Sequence, residues 1–283
     1  EFYGTKVEQF PALASSGRVP MSIARIMQRR LYVSDSEPDI KSAWMDNYFG
    51  SSDLKAQRGE QFKIVLATYA DGSLTPIGRT YLALINPKEQ LVNRAVSLGI
   101  DERYDRLDGD GVFIVDGIDN LASVTGAPQT QQQAKDSLFW RIALRHPNYV
   151  PNEFAIPGLH EEVIPYIFAE YKDKFARNSS IEDIRAMSFF PGYSDEGRAE
   201  MRALYVGGLE DWSQLFGRDY LDSDDGRLVG VAPEAQCALG YGLSDVKSCT
   251  MADLQAFDKA MKGLEGTLHP EVLKPLAELR KKI

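Results

Sequence analysis

The residues that offer this chain most chemistry are carboxylates, and they gather in "YDRLDGDGVFIVDGIDN", residues 104–120. Asp105, Asp108 and Asp110 lie close along one loop, where like charges repel and a divalent cation would relieve them. A helix–loop–helix calcium site needs oxygen ligands at positions 1, 3, 5 and 12 with glycine at 6. Setting Asp110-Gly111 at positions 5 and 6 puts Arg106 at the first ligand position and Gly117 at the last, so that regular loop fails. What the stretch retains is an irregular calcium site at Asp105, Asp108 and Asp110, or simply a solvated turn beside the strand "VFIVD". Calcium is the one cofactor the sequence suggests.

Other chemistry is disfavoured by spacing. No glycine-rich phosphate loop of the G-x-x-x-x-G-K-[ST] or G-x-G-x-x-G kind occurs, so Asp116 and Asp119 do not read as the acidic strand end of a nucleotide hydrolase. The histidines are His146, His160 and His269, each beside a turn or proline. "HEEVI", residues 160–164, begins like the zinc motif H-E-x-x-H, but Ile164 stands where the second imidazole should be. "PGYSDEG" imitates a nucleophile elbow, yet Glu196 replaces its second glycine, and Ser194 reads better as a helix cap ahead of an acidic first turn. Cys237 and Cys249 are too far apart for a C-x-x-C site; they suit a disulfide in an oxidising compartment or two small core residues in a reducing one. "RNSS" at Asn178 is a glycosylation acceptor only on a eukaryotic secretory route. The catalytic alternative is a carboxylate-dependent hydrolase, with no particular pair singled out.

Charge bears on partners. The chain of 283 residues carries 41 acidic against 32 basic residues, a net charge of −9, which repels nucleic acid unless a basic patch intervenes. The best patch is "RIMQRR", with Arg25, Arg29 and Arg30, read as a solvated face or as a docking surface for an acidic partner. "LTPIGRTYL", residues 74–82, resembles the stretch leaving the wing of some winged-helix DNA-binding domains. That resemblance implies a nucleic-acid alternative, working through the arginine-rich helix, but it covers nine residues in an acidic chain. "ALRHPNYVP" is similar to the turn that ends a tetratricopeptide helix, without a second copy at the required spacing.

The elements that must position these residues read as mainly helical. Apolar residues recur at helical spacing in "VPMSIARIMQRRLYV", with Pro20 placed to open a helix, and in "EPDIKSAWMDNYFG". Phe62–Tyr69 and "VFIVD" are strand candidates, and "LTPIGRTYLALINPKEQLVNRAVSLG" reads as two proline-started helices. "QAKDSLFWRIALRHP", "PYIFAEYKDKFA", "SSIEDIRAM", "DEGRAEMRALYVGG" and the segments beyond residue 250 complete a helical C-terminal half. The expected fold class is therefore mainly α with a small β element (α+β). A mixed region 1–126 and a helical region 127–283 meet at "GAPQTQQQ", unless the two form one continuous domain.

No apolar run reaches the roughly 20 residues that span a bilayer, so the chain reads as soluble. Glu1 in place of Met suggests a processed chain, secreted or organelle-imported, or a trimmed one; the compartment stays open. The function these observations favour is a non-catalytic binding or structural protein that presents helical surfaces to a protein partner or to copies of itself.

Overall fold

Phe49–Arg58 has a sequence, FGSSDLKAQR, that carries almost no strand propensity, yet it forms β2, the middle of the molecule's main sheet. The computed structural model describes residues 5–33, 37–59, 61–84, 96–99, 102–115, 130–175, 187, 189–190, 199–208, 215–216 and 227–231. All belong to the first of two compact units, Glu1–Gly240; the second, Tyr241–Ile283, lies outside the described residues. So do Asp116, Asp119, Asn178, Ser194, Cys237, Cys249 and His269, and with them the helices expected beyond residue 250.

In chain order the helices are α1 (Lys6–Ser15), α2 (Ile23–Leu31), α3 (Pro38–Met45), α4 (Pro76–Leu84), α5 (Glu102–Asp105), α6 (Gln131–Asp136), α7 (Leu138–Ala143) and α8 (Leu159–Phe175). The strands are β1 (Val19–Pro20), β2, β3 (Gln61–Val65), β4 (Val96–Gly99), β5 (Val112–Ile114), β6 (Phe189–Phe190), β7 (Ala199–Val206), β8 (Leu215–Phe216), β9 (Arg227–Leu228) and β10 (Gly230–Val231). Among the described residues eight strands form one sheet in the order β5-β3-β2-β7-β8-β6, with β4 beside β7 and β9 beside β2; β1 and β10 pair separately. Pairing is antiparallel except for β2–β9 and β6–β8.

This sheet overturns the expectation of a mainly α chain with a helical C-terminal half. "AEMRALYV", residues 199–206, was expected as a helix, since Ala, Glu, Met, Arg and Leu all favour one, but it is the strand β7. Its alternation decides the matter: Ala199, Met201 and Ala203 join the smaller core, while Leu204 and Val206 join the larger one on the other face. Val96–Gly99, expected inside the second proline-started helix, is also a strand.

Helices cover both faces of the sheet. The larger core packs α2, α7 and α8 on Phe49, Phe62, Ile64, Leu204 and Val206, drawing residues from both sides of position 126. The smaller sets Phe10 and Leu13 of α1 and Tyr104 of α5 against Leu54, Ala56 and Val65. Among the described residues no helix is long and apolar enough to cross a membrane.

Between Gly50 and Leu54 the register of β2 against β7 shifts, and three residues, Ser51, Ser52 and Asp53, bulge out of the ladder. The bulge receives the start of α2: Ser52 N–H donates to Met21 O at 2.9 Å, and Ile23 N–H donates to Asp53 Oδ2 at 2.9 Å. Ser22 caps that helix by accepting from Arg25 N–H. Pro20 instead sits in β1.

Candidate functional site

Helix α7 ends in a Schellman motif, which places the first functional side chain. Arg145 N–H donates to Ile142 O at 2.9 Å and His146 N–H to Arg141 O at 2.8 Å. The position between helix and turn is left-handed and usually glycine; here it is Arg145, at φ 60°. Its side chain holds it there. The guanidinium is fully buried, donates to Thr68 O at 2.6 Å and Thr68 Oγ1 at 3.1 Å, and stands 3.5 Å from Asp53 Oδ1. Burial raises the Asp53 pKa, against the pull of Arg145 and of backbone N–H groups from Ile23 and Ala67. Burial likewise lowers the Arg145 pKa, with Asp53 opposing.

From this anchor the chain runs through Pro147, Pro151 and Pro157 and returns. His146 O accepts from Tyr149 and Val150, and Ile156 N–H closes the loop on Arg145 O at 2.9 Å. Phe154 plugs the loop into the fold, with its ring 5.0 Å from that of Tyr69 and against Gly111, where an added Cβ would lie 3.1 Å from Phe154 and 2.8 Å from Leu66 O. Gly158, at φ 81°, then turns the chain into α8, whose first turn carries His160, Glu161 and Glu162.

The result is a pocket of about 330 Å³, lined among others by Lys135, Arg141, His146, Tyr149, His160 and Glu161. One coordinating atom from each of His146, His160 and Glu161 lies within 4.8 Å of the other two. His146 Nε2 is 3.0 Å from Glu161 Oε1, His160 Nδ1 is 3.7 Å from the same oxygen, and the two imidazole rings stand edge to face at 5.2 Å. Asn148 N–H donates to His146 Nδ1 at 3.1 Å, so the neutral ring carries its proton on Nε2, facing Glu161. His160 is buried, and its Nε2 has no hydrogen-bond partner. Burial lowers its pKa; Glu161 opposes this, while His146 and Arg141 add to it. Arg141 closes one wall, with Nη2 2.9 Å from Asp136 Oδ1 and Nη1 donating to Tyr149 Oη.

Sequence reasoning placed the second zinc ligand of "HEEVI" at Ile164 and found none. The second imidazole, His146, lies fourteen residues upstream of His160, brought back by the three-proline loop. A helix-ending histidine-proline pair followed by a proline-glycine turn into a helix starting His-Glu is the signal that was available.

The other expected site residues are placed as follows. Asp105 pairs with Arg58, 3.0 Å from Nη2, and Arg58 in turn lies 4.7 Å from the Tyr104 ring centroid. Asp108 and Asp110 are exposed. Among the described residues the group whose ligand atoms converge is the histidine pair with Glu161. Two of the three arginines of α2 point inward rather than forming a solvated face. Arg25 donates to Gln28 Oε1 at 2.7 Å and to Ala70 O. Arg30 donates to the carbonyls of Trp44, Asn47 and Gly207 at 2.9, 3.1 and 2.9 Å. Burial lowers the pKa of both to about 10. Arg29 is exposed, 5.8 Å from the Trp44 ring centroid.

No family model matches the chain, and no curated protein does. A solved structure described by the words "Accommodation of massive sequence variation in Nanoarchaeota by the C-type lectin fold" aligns over 78% of this chain and 90% of its own, at 14% identity and a TM-score of 0.44. A likeness that distant carries no inference here.

Proposed function

We propose that the protein acts by binding, and that the pocket between α7 and the first turn of α8 is its recognition surface. One observation carries this reading: charged and aromatic groups of several kinds converge in an open pocket on a backbone pinned to the sheet through Arg145 and Phe154. Among the described residues that line it there is no serine, threonine or cysteine to act as a covalent nucleophile. His146 is equally unsuited to act as a general base, because its one unprotonated nitrogen already accepts from Asn148. The ligand this chemistry fits is a small polar group bearing both charges, or a protein side-chain pair that presents them, met by the Lys135, Arg141 and Glu161 that line the pocket.

Imidazole resonances test the reading. Polar fragments such as amino acids, sugar acids and short peptides are titrated while the ring signals of His146 and His160 are followed by NMR. The expected result is a saturable shift of these two signals, lost in Lys135→Ala. Fragments that bind only elsewhere, leaving both rings unmoved, overturn it.

A further inference from the structure

We propose that His146, His160 and Glu161 bind a divalent transition metal of the zinc class, a proposal that rests on reading this pocket as the binding surface and supplies its anchor. Two imidazoles and a carboxylate are the donor set of open zinc sites, in which a fourth position remains for water or for a ligand atom. Metal–nitrogen and metal–oxygen distances near 2.0–2.2 Å put neighbouring ligand atoms of a tetrahedral ion roughly 3.3 Å apart. Glu161 Oε1 lies 3.0 Å from one imidazole nitrogen and 3.7 Å from the other, on either side of that spacing. Calcium and magnesium prefer all-oxygen shells, so two imidazoles select against them.

Several features oppose the ion, among them the cationic Lys135 and Arg141 on the pocket wall and the buried His160 Nε2, which has no acceptor for the proton that a metal on Nδ1 places there. The start of α8 carries the positive end of the helix dipole, which Glu161 and Glu162 offset. A metal on His146 Nε2 also displaces the proton there. The neutral ring then carries its proton on Nδ1, which becomes a donor and can no longer accept from Asn148 N–H. Asn148 is exposed, so its N–H turns to water and the loss weakens binding by about tenfold at most. Metal binding is therefore coupled to a tautomer change at His146 and to a turn of the Asn148 peptide. The same three ligands line the pocket together with Lys135 and Tyr149, so a donor atom of the pocket's ligand would be able to complete the shell.

The test is a zinc titration of the full chain against a chromogenic chelator, with His146→Gln and Glu161→Gln alongside. The expected result is one bound equivalent, weakened at least about tenfold by each substitution, with the His146 ring nitrogens exchanging tautomer in NMR spectra. Glu161 is half-exposed, so E161Q folds even if H146Q does not, and a melting curve in chelator checks both. Zinc that is not retained, or that both variants retain as wild type does, overturns the metal site. Such a failure leaves the pocket reading standing if metal-free fragments still shift the rings; if fragments fail while zinc binds at these ligands, the pocket reading falls alone.

Discussion

Two regions of this molecule concentrate charge, and they treat it in opposite ways. Along β2 and β7, Asp53, Lys55, Gln57, Glu200 and Arg202 are buried; Asp53 meets Ile23 N–H and Arg145, and the other four turn on one another. Lys55 Nζ donates to Gln57 Oε1 at 2.6 Å, and Arg202 grips both oxygens of Glu200 at 2.9 and 3.1 Å. In the pocket at α8, Arg141 and Glu161 reach solvent while His160 is buried, and the contacts among His146, His160 and Glu161 are partial. The closed set is spent on specifying the fold; the open set is left with capacity for something else. Arg145 and His146, adjacent in sequence, mark the border: one side chain is committed to the sheet and the other to the pocket.

The sharpest way to break this contrast is to unpair the closed region. Asp53→Ala strands the Arg145 guanidinium and the Ile23 N–H in the interior, a loss of about 3–5 kcal/mol in urea unfolding. Because Arg145 fixes the turn that carries His146, the pocket's imidazole signals should broaden in the same variant. Glu161→Gln, in the open region, should cost less than about 1 kcal/mol. Equal losses from the two substitutions would erase the distinction. Arg30→Met comes next: three carbonyls lose their donor, at about 2–3 kcal/mol, and Arg30→Lys should recover only part, since an ammonium lacks the guanidinium's planar fork.

How much of this was legible in the sequence follows the same division. The helix α2 and the strands β3 and β5 announce themselves through apolar spacing; α3 does so only in part, since Met45 is its buried residue and Ile40 is exposed. β2 does not, since Phe49, Leu54 and Ala56 are interspersed with buried Ser, Asp, Lys and Gln, which become acceptable inside only when the facing strand supplies partners. β7 was hidden by good helix formers whose alternation mattered more than their propensity. Arg25 and Arg30 looked like a surface patch because sequence does not reveal which carbonyls a long side chain will reach. His146 and His160 were visible singly, but their meeting depends on the loop's return and on Arg145 in a left-handed position that glycine usually fills.

The buried lysine sharpens the comparison through pH. Desolvation lowers the Lys55 pKa from 10.5 to about 7, with Glu200 pulling it up and Arg202 pushing it down. The unfolded chain then binds a proton that the folded chain does not between about pH 7 and pH 10.5, so stability rises with pH across that window and is lost as pH falls through 7. The slope from this one group is at most about 1.4 kcal/mol per pH unit. Lys55→Met should remove it, measured as unfolding midpoints at several pH values. A wild-type profile with no such rise would mean that Lys55 stays charged within its polar set.

The smallest effect is expected at Asp105, whose pair with Arg58 resembles the closed set in geometry but not in setting. The carboxylate is 56% exposed, so water already solvates the charge and the ion pair is worth about 0.5 kcal/mol. Asp105→Asn should therefore leave urea unfolding nearly unchanged and reduce its small contribution further at high salt. Calcium reaching this carboxylate must compete with a guanidinium already 3.0 Å away, which Tyr104 steadies from the other side. If Asp105→Asn instead cost several kcal/mol, the loop at 105–110 would belong with Asp53 and Lys55 as part of the molecule's closed interior, and the division drawn from exposure would need redrawing at that edge of the sheet.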